Sequence, residues 1–158
     1  MKDAILPTAA ELHAHDDAEK IERLKEAMLE HPQVECPVEH FFGPGLYIRQ
    51  VTIPAGTLVV GHRHKTQHVN IMLKGRVTIA TCDGVATLTA PVVFIGPPGA
   101  KVALALEETV WQNVHATEET DLEKIEEAFI EKSETRKEHQ EKEKLIESLR
   151  THALSDRS

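Results

Sequence analysis

The chain has 158 residues, about the length of one domain, and 41% of them are hydrophobic, which predicts a real but modest core. The formal net charge is −8 while residues 34–116 are close to neutral, so no basic stripe is available to follow a nucleic-acid backbone. No apolar run approaches the roughly 20 residues of a membrane span, and Cys36 and Cys82 form no Cys-x-x-Cys pair, which predicts a cytoplasmic protein without a thiolate zinc site.

Residues 1–33 form the first unit, a helical arm. This stretch has no apolar run of signal-peptide length, and Thr8–Glu11 and Asp16–Glu19 both fit the capping-box pattern that begins a helix. An apolar stripe at helical spacing follows, and His31-Pro32 ends it. We therefore predict a helix over 17–30, with a stripe made of Ile21, Leu24 and Met28.

Residues 34–116 form the second unit, which is β-rich. Prolines and glycines separate short runs in which apolar and polar residues alternate, and Asp83-Gly84 between two of them predicts a tight hairpin. Such a series without a helical break predicts a mostly β fold, a small antiparallel jelly-roll barrel flanked by helices at both ends. The eight predicted strands are 46–53, 57–60, 68–73, 76–81, 85–90, 91–95, 101–106 and 109–114.

Residues 117–158 form the third unit, a charged helical arm. Thr120–Glu123 is another capping box, and residues 131–144 contain no apolar residue, which fits a solvated helix or a flexible tether. Apolar stripes lie on both sides of that polar stretch, at Leu122, Ile125, Phe129 and Ile130, and at Leu145, Ile146, Leu149 and Leu154. One small barrel cannot bury the stripes of both arms, so we expect a homo-oligomer, a dimer or higher, or a protein partner bound through the arms.

Three histidines within seven positions, His62, His64 and His68, are the candidate site. If 57–64 is one strand, His62 and His64 share a face, and His68 opens the next strand beside them. Imidazoles at this spacing are typical of a metal ligand set, of a polar pocket without metal, or of surface histidines, and the residues alone leave all three open.

The pattern Gly56-x5-His62-x-His64-x3-His68-x6-Gly75 resembles the first motif of the cupin family, in which two histidines and a glutamate bind a divalent metal inside a jelly roll. His68 stands at the glutamate position. In the second motif only the Pro97-Pro98-Gly99 turn matches, and Val102 stands at the histidine position. The resemblance implies at most a three-imidazole site for a divalent transition metal, and three imidazoles suit zinc, iron, nickel or copper alike.

A second, closer resemblance extends from the histidine motif into the residues that follow the predicted strands. The run from Gly45 to about residue 127 resembles small cupin-like proteins encoded by tailed bacteriophages, which would place the protein in the host cytoplasm or in the virion. One hypothesis is a metal-binding cupin-like protein with a small-molecule pocket, an isomerase or dioxygenase if it is an enzyme. The alternative is a non-catalytic structural or interaction protein of a phage particle or phage–host complex, with inhibition of a host defence enzyme as a third idea.

For several other side chains the sequence fits two alternative roles, one in a pocket wall and one in the core or at a strand end. Trp111, Asn113 and His115 share a face by parity, so His115 belongs to a pocket wall or is a polar residue at a strand end, and the second reading is favoured. Tyr47 and Met72 line a cavity or belong to the core, with the core the commoner role. No group stands out as a catalytic residue.

Overall fold

A computed structural model describes residues 18–81, 84–131 and 134–155. The helices are α1 (Ala18–Leu29), α2 (Leu122–Phe129) and α3 (Glu134–Ser155). The strands are β1 (Val38–Gly43), β2 (Leu46–Ile53), β3 (Leu58–Val60), β4 (Arg63–His64), β5 (His68–Lys74), β6 (Arg76–Thr81), β7 (Gly84–Thr89), β8 (Val92–Gly96), β9 (Val102–Ala105), β10 (Thr109–Ala116) and β11 (Ile130–Glu131). None of the helices in these ranges is long and apolar enough to cross a membrane.

Two antiparallel sheets form the barrel. The larger has the order β1-β2-β10-β5-β8 and the smaller the order β3-β9-β6-β7. Apart from β1, these are the two four-stranded sheets of a jelly roll, in which strands distant in sequence become neighbours. The prediction of a mostly β, antiparallel jelly roll with helices at both ends is confirmed.

The core lies between the sheets toward one end of the barrel. Met72, Val77 and Ile79 are fully buried there, and Trp111 packs edge-on against Phe94 with ring centroids 5.9 Å apart. Alternation puts every second residue of each strand on this face, which is why the apolar positions of the sequence meet. The Trp111 and Met72 side chains therefore belong to the core, which is the commoner of the two roles predicted for Met72.

The predicted strands agree with the observed ones within one or two residues, with one correction. Residues 57–64 are not one strand, because β3 ends at Val60 and a separate β4 begins at Arg63. His64 in β4 pairs on one side with Gly99 and on the other with Ile130 of β11. Strands β1, β4 and β11 were not predicted. Thr81 pairs with Gly84 across the predicted hairpin, and residues 82–83 lie outside the described residues.

Gly75 shows why the turn between β5 and β6 requires glycine. Its φ is 98°, a conformation that L side chains rarely adopt, and a Cβ there would collide with the Thr109 hydroxyl and the Glu108 carbonyl. The glycine that ends the histidine motif thus has a steric role, and it fixes how β5 passes into β6.

The carboxyl-terminal arm is two helices rather than one. Asp121 caps α2 by accepting from the backbone N–H groups of Glu123 and Lys124, and Lys65 N donates to Phe129 O where α2 passes into β11. These contacts fasten α2 to the barrel rim. Helix α3 contacts α1, but all of its residues from 141 to 155 are exposed. The stripe at Leu145 and Leu149 is therefore solvent-exposed in the single chain, whereas Ile21 of α1 is buried.

Candidate ligand cavity

The other end of the barrel holds a cavity of about 330 Å³, which α2 covers from outside. Apolar walls come from both sheets and from α2, and polar side chains converge from the inner face of the larger sheet and from the loop after β3. The lining residues that the argument uses are Tyr47, Arg49, His62, His64, Lys101 and His115 from the barrel, with Leu122, Ile125 and Phe129 from α2.

Two polar rows cross the inner face of the larger sheet at this end. Tyr47 of β2 lies beside His115 of β10, and the next row joins Arg49 to Asn113 and Asn113 to Asn70. Asn70 is fully buried, and its Oδ1 accepts from Trp111 Nε1 at 3.0 Å and from Asn113 Nδ2 at 2.8 Å. Because Asn70 Oδ1 accepts from both Trp111 and Asn113, the second of these rows is held rigidly against the core.

The rings of His64 and His68 stack beside these rows. Their centroids are 3.7 Å apart and their planes are 18° from parallel, while the His115 ring lies 5.5 Å from His64 and 4.6 Å from the Phe129 ring. His62 follows the end of β3 and also lines the cavity. The structure thus brings His64, His68 and His115 together, and it leaves His62 on the wall near them.

The neighbours of His68 fix its tautomer. Its Nδ1 is 3.1 Å from the Thr66 carbonyl oxygen, which can only accept, and its Nε2 is 3.1 Å from Lys101 Nζ, which can only donate. His68 is therefore a neutral ring that carries its proton on Nδ1, with both nitrogens engaged. Burial, and then the Lys101 charge, lower its pKa from 6.5 to about 4.

His64 and His115 are also held neutral. Burial is the main cause that lowers the pKa of His64 from 6.5 to about 2, and the nearby His68 and Lys101 add to it. Burial, and then the Arg49 charge, lower the pKa of His115. Within the described residues, His64 Nδ1 is a buried polar atom without a hydrogen-bond partner.

The predicted metal ligands do not fit a metal ion as they are arranged. A metal shared by two rings must lie near both ring planes, and nearly parallel rings stacked at 3.7 Å do not point their lone pairs at a common position. At His68 a metal would have to displace Lys101 or Thr66. Across 18–81, 84–131 and 134–155, no three His, Cys, Asp or Glu side chains form a group that could hold a metal ion.

Sequence reasoning missed several residues of this cavity. The sequence predicts Lys101 as the first residue of a strand and His115 as a polar residue at a strand end, whereas both side chains line the cavity. Tyr47 lines it too, and its hydroxyl lies 2.7 Å from His40 Nδ1. Parity within β5 puts Asn70 on the same face as His68, so that signal was present in the sequence. Val102, at the second-motif position, pairs with Val60 and offers no ligand atom.

No protein-family model matches the sequence, and no curated protein matches it. Solved structures similar to it are cupin-domain proteins. A cupin domain from Bordetella pertussis Tohama I is 19% identical and covers 55% of this chain and 98% of its own, with a TM-score of 0.42. A cupin-2 domain protein from Shewanella frigidimarina is 19% identical, with 63% and 98% covered and a TM-score of 0.41. A cupin superfamily protein from Desulfitobacterium hafniense is 12% identical, with 58% and 86% covered and a TM-score of 0.45.

These likenesses concern the fold and carry nothing about chemistry. The strand pairing described above is what defines the jelly roll in this chain. None of the three descriptions mentions a bacteriophage, so the resemblance to phage-encoded proteins stays a prediction.

Proposed function

We propose that the protein binds a small organic molecule in the cavity beneath α2. The observation that carries this proposal is an apolar-walled space of about 330 Å³ with converging polar groups, a size and a composition typical of small-molecule sites. The Ile125 and Phe129 side chains supply apolar contact, and the His62, His64 and His115 side chains line the cavity as polar groups.

The three-histidine metal centre stays a separate prediction. Loading His62, His64 and His68 would require the stacked rings to part and Lys101 to leave His68 Nε2. The donor set would suit zinc, iron, nickel or copper. Elemental analysis of the purified protein tests this prediction independently of ligand binding.

The test of the cavity is a fragment screen by ligand-detected NMR. We expect at least one small organic fragment to bind the wild-type protein. Leu122→Trp narrows the cavity from α2, where Leu122 is 39% exposed and a larger ring costs little packing, and it should abolish binding. Leu149→Trp is the matched control, because Leu149 is an exposed helical leucine outside the cavity. Equal binding by both variants, or no binding by the wild type, would contradict the proposal.

A second candidate function, that of a self-associating interaction protein, is favoured by the outer face of the larger sheet. The pairing of its five strands aligns one apolar residue from each in a continuous line, which we call the outer apolar row: Phe41, Ile48, Val114, Val69 and Ile95. Phe41 and Ile95 are 45% and 49% exposed. A face whose centre carries no charge does not repel its own copy, so we propose that a second copy covers it about a two-fold axis.

Light scattering tests this association. Ile95→Lys puts a charge into the outer apolar row and should convert a dimer into a monomer, whereas Val85→Lys is the control at an exposed apolar residue of the other sheet. If the wild-type protein is a monomer in light scattering, the proposed self-association is wrong. A dimer lost only on deletion of residues 134–158 would assign the contact to the carboxyl-terminal arm instead.

A further inference from the structure

We propose that the Lys101 ammonium is the fixed cation of this cavity, in place of a metal ion, and that the ligand is a small organic carboxylate held by Lys101. This inference rests on the proposed function, because it names the chemical class of the molecule that the cavity binds. It adds a site residue that lies outside the histidine motif.

The contacts of Lys101 place its charge at the histidine cluster. Nζ lies 3.1 Å from His68 Nε2, the nitrogen through which His68 would otherwise bind a metal. The ammonium also lies close to the backbone of Gly96, where a Cβ would come within 2.8 Å of Nζ and within 3.0 Å of His68 Cε1. The missing side chain at residue 96 therefore leaves room for Lys101 and His68 to meet.

The charges around the cavity favour an anion. The lining residues include two cations, Arg49 and Lys101, and one acid, Glu126. The His68 ring adds no positive charge, because its Nε2 accepts a hydrogen bond from the Lys101 ammonium. A single carboxylate matches the surplus of one positive charge, while a dianion would be left with an uncompensated charge in a largely apolar space.

The hydrogen-bonding chemistry points the same way. A lysine ammonium has only N–H donors and no acceptor, and its contact with His68 Nε2 holds Nζ beside the histidine cluster. Carboxylate oxygens accept hydrogen bonds, and a bond to a charged donor is stronger than one between neutral groups. An apolar body attached to the carboxylate would lie against Ile125 and Phe129. The class is therefore a small monocarboxylate with a hydrocarbon or aromatic body.

Calorimetric titration with matched pairs of probes tests this. The panel is acetate, butyrate and benzoate, each paired with its neutral amide of the same shape. At least one carboxylate should bind the wild-type protein more tightly than its amide. Lys101→Met should weaken that carboxylate about 10- to 100-fold and weaken the amide less, because the carboxylate loses a hydrogen bond between two charged groups.

Two further variants make the result specific. Lys101→Arg keeps a cation in place and should keep the preference for the carboxylate. Lys74→Met removes a surface lysine that pairs with Glu108 outside the cavity and should change nothing. Thermal melts of each variant report whether it folds.

The outcomes separate the inference from the proposed function. If every amide binds as tightly as its carboxylate, or if Lys101→Met leaves the difference intact, the inference is overturned while binding in the cavity stands. If no carboxylate binds but the fragment screen finds Leu122-sensitive ligands, the same conclusion follows. Stoichiometric zinc retained by the wild-type protein after dialysis would also overturn it, because the metal would then hold the place given to Lys101.

Discussion

The inner face of the larger sheet has two ends of opposite character, although the same strands build both. At one end Val51, Trp111 and Met72 align across β2, β10 and β5 and belong to the core, where Val51 and Trp111 also border the inner side of the cavity. At the other end Tyr47 and His115 occupy the equivalent inward positions and line the cavity. The comparison shows that inward parity alone does not decide between core and site.

Asn70 joins the two ends. It accepts one hydrogen bond from the core residue Trp111 and one from Asn113 in the polar rows. Buried polar groups are tolerated when they satisfy one another, and this pairing lets a polar end exist beside an apolar one. The same face can therefore hold a rigid core and a cavity open to a ligand.

The largest expected effect on stability comes from replacing Asn70, which hydrogen-bonds to residues of both ends. Asn70→Leu leaves the Trp111 indole N–H and the Asn113 amide without their acceptor and should lower the free energy of unfolding by about 2–4 kcal/mol. Gln50→Leu is the control, because it removes an amide–amide bond to Gln112 on the outer face, where water replaces it. Urea unfolding of both variants measures the difference. Equal losses would mean that the inner network does not join the two ends.

A smaller loss of stability is expected from filling the space beside Gly96 at the polar end. Gly96→Ala puts a Cβ 2.5 Å from Asn70 Nδ2 and 2.8 Å from Lys101 Nζ, and it should lower the free energy of unfolding by about 1–3 kcal/mol. Gly43→Ala is the control, since nothing lies within 4 Å of a Cβ there. Thermal melts compare the two variants. A neutral Gly96→Ala would show that Lys101 and His68 do not need that space.

The polar end should also make stability depend on pH. The pKa values of His64, His68 and His115 are lowered on folding, so the unfolded chain binds more protons below its ordinary histidine pKa of 6.5. Stability should be constant above about pH 7 and fall as the pH drops below 6.5. We expect a loss of about 1–2 kcal/mol between pH 6.5 and 5.5, since partial solvent access reduces the full effect of three groups.

Unfolding curves at several pH values measure this slope. His64→Gln should make the slope shallower, whereas His31→Gln replaces an exposed histidine and should not. A slope that His64→Gln leaves unchanged would contradict the assignment of a buried neutral imidazole at that position.

The fold could be predicted because its signal is local. Alternation in residues 46–53 defines β2 to the residue, and the parity of β10 places Trp111, Asn113 and His115 on one face. The cavity could not be predicted to the same degree. Lys101 reaches His68 only because the turn at Gly99 pairs with His64, a contact between segments far apart in sequence. The two-residue strand β11 that fastens α2 carries no periodic signal at all.

The histidine cluster shows the same limit. Spacing predicts that His64 and His68 come together, and they do, but spacing carries no information about ring orientation or about which nitrogen is engaged. The stacked geometry and the lysine partner follow from tertiary packing. A motif spacing that resembles a metal site is therefore compatible with an organic cation at the same place.

The central claim is that Lys101 rather than a metal ion engages His68 at the polar end. Long-range ¹H–¹⁵N NMR of the histidine side chains at neutral pH, recorded with and without added zinc, tests it most directly. The account predicts a neutral His68 ring with its proton on Nδ1 and no change when zinc is added, while Lys101→Met shifts the Nε2 signal. A His68 ring that carries its proton on Nε2, or whose Nε2 signal moves to a metal-bound position with zinc, would contradict it.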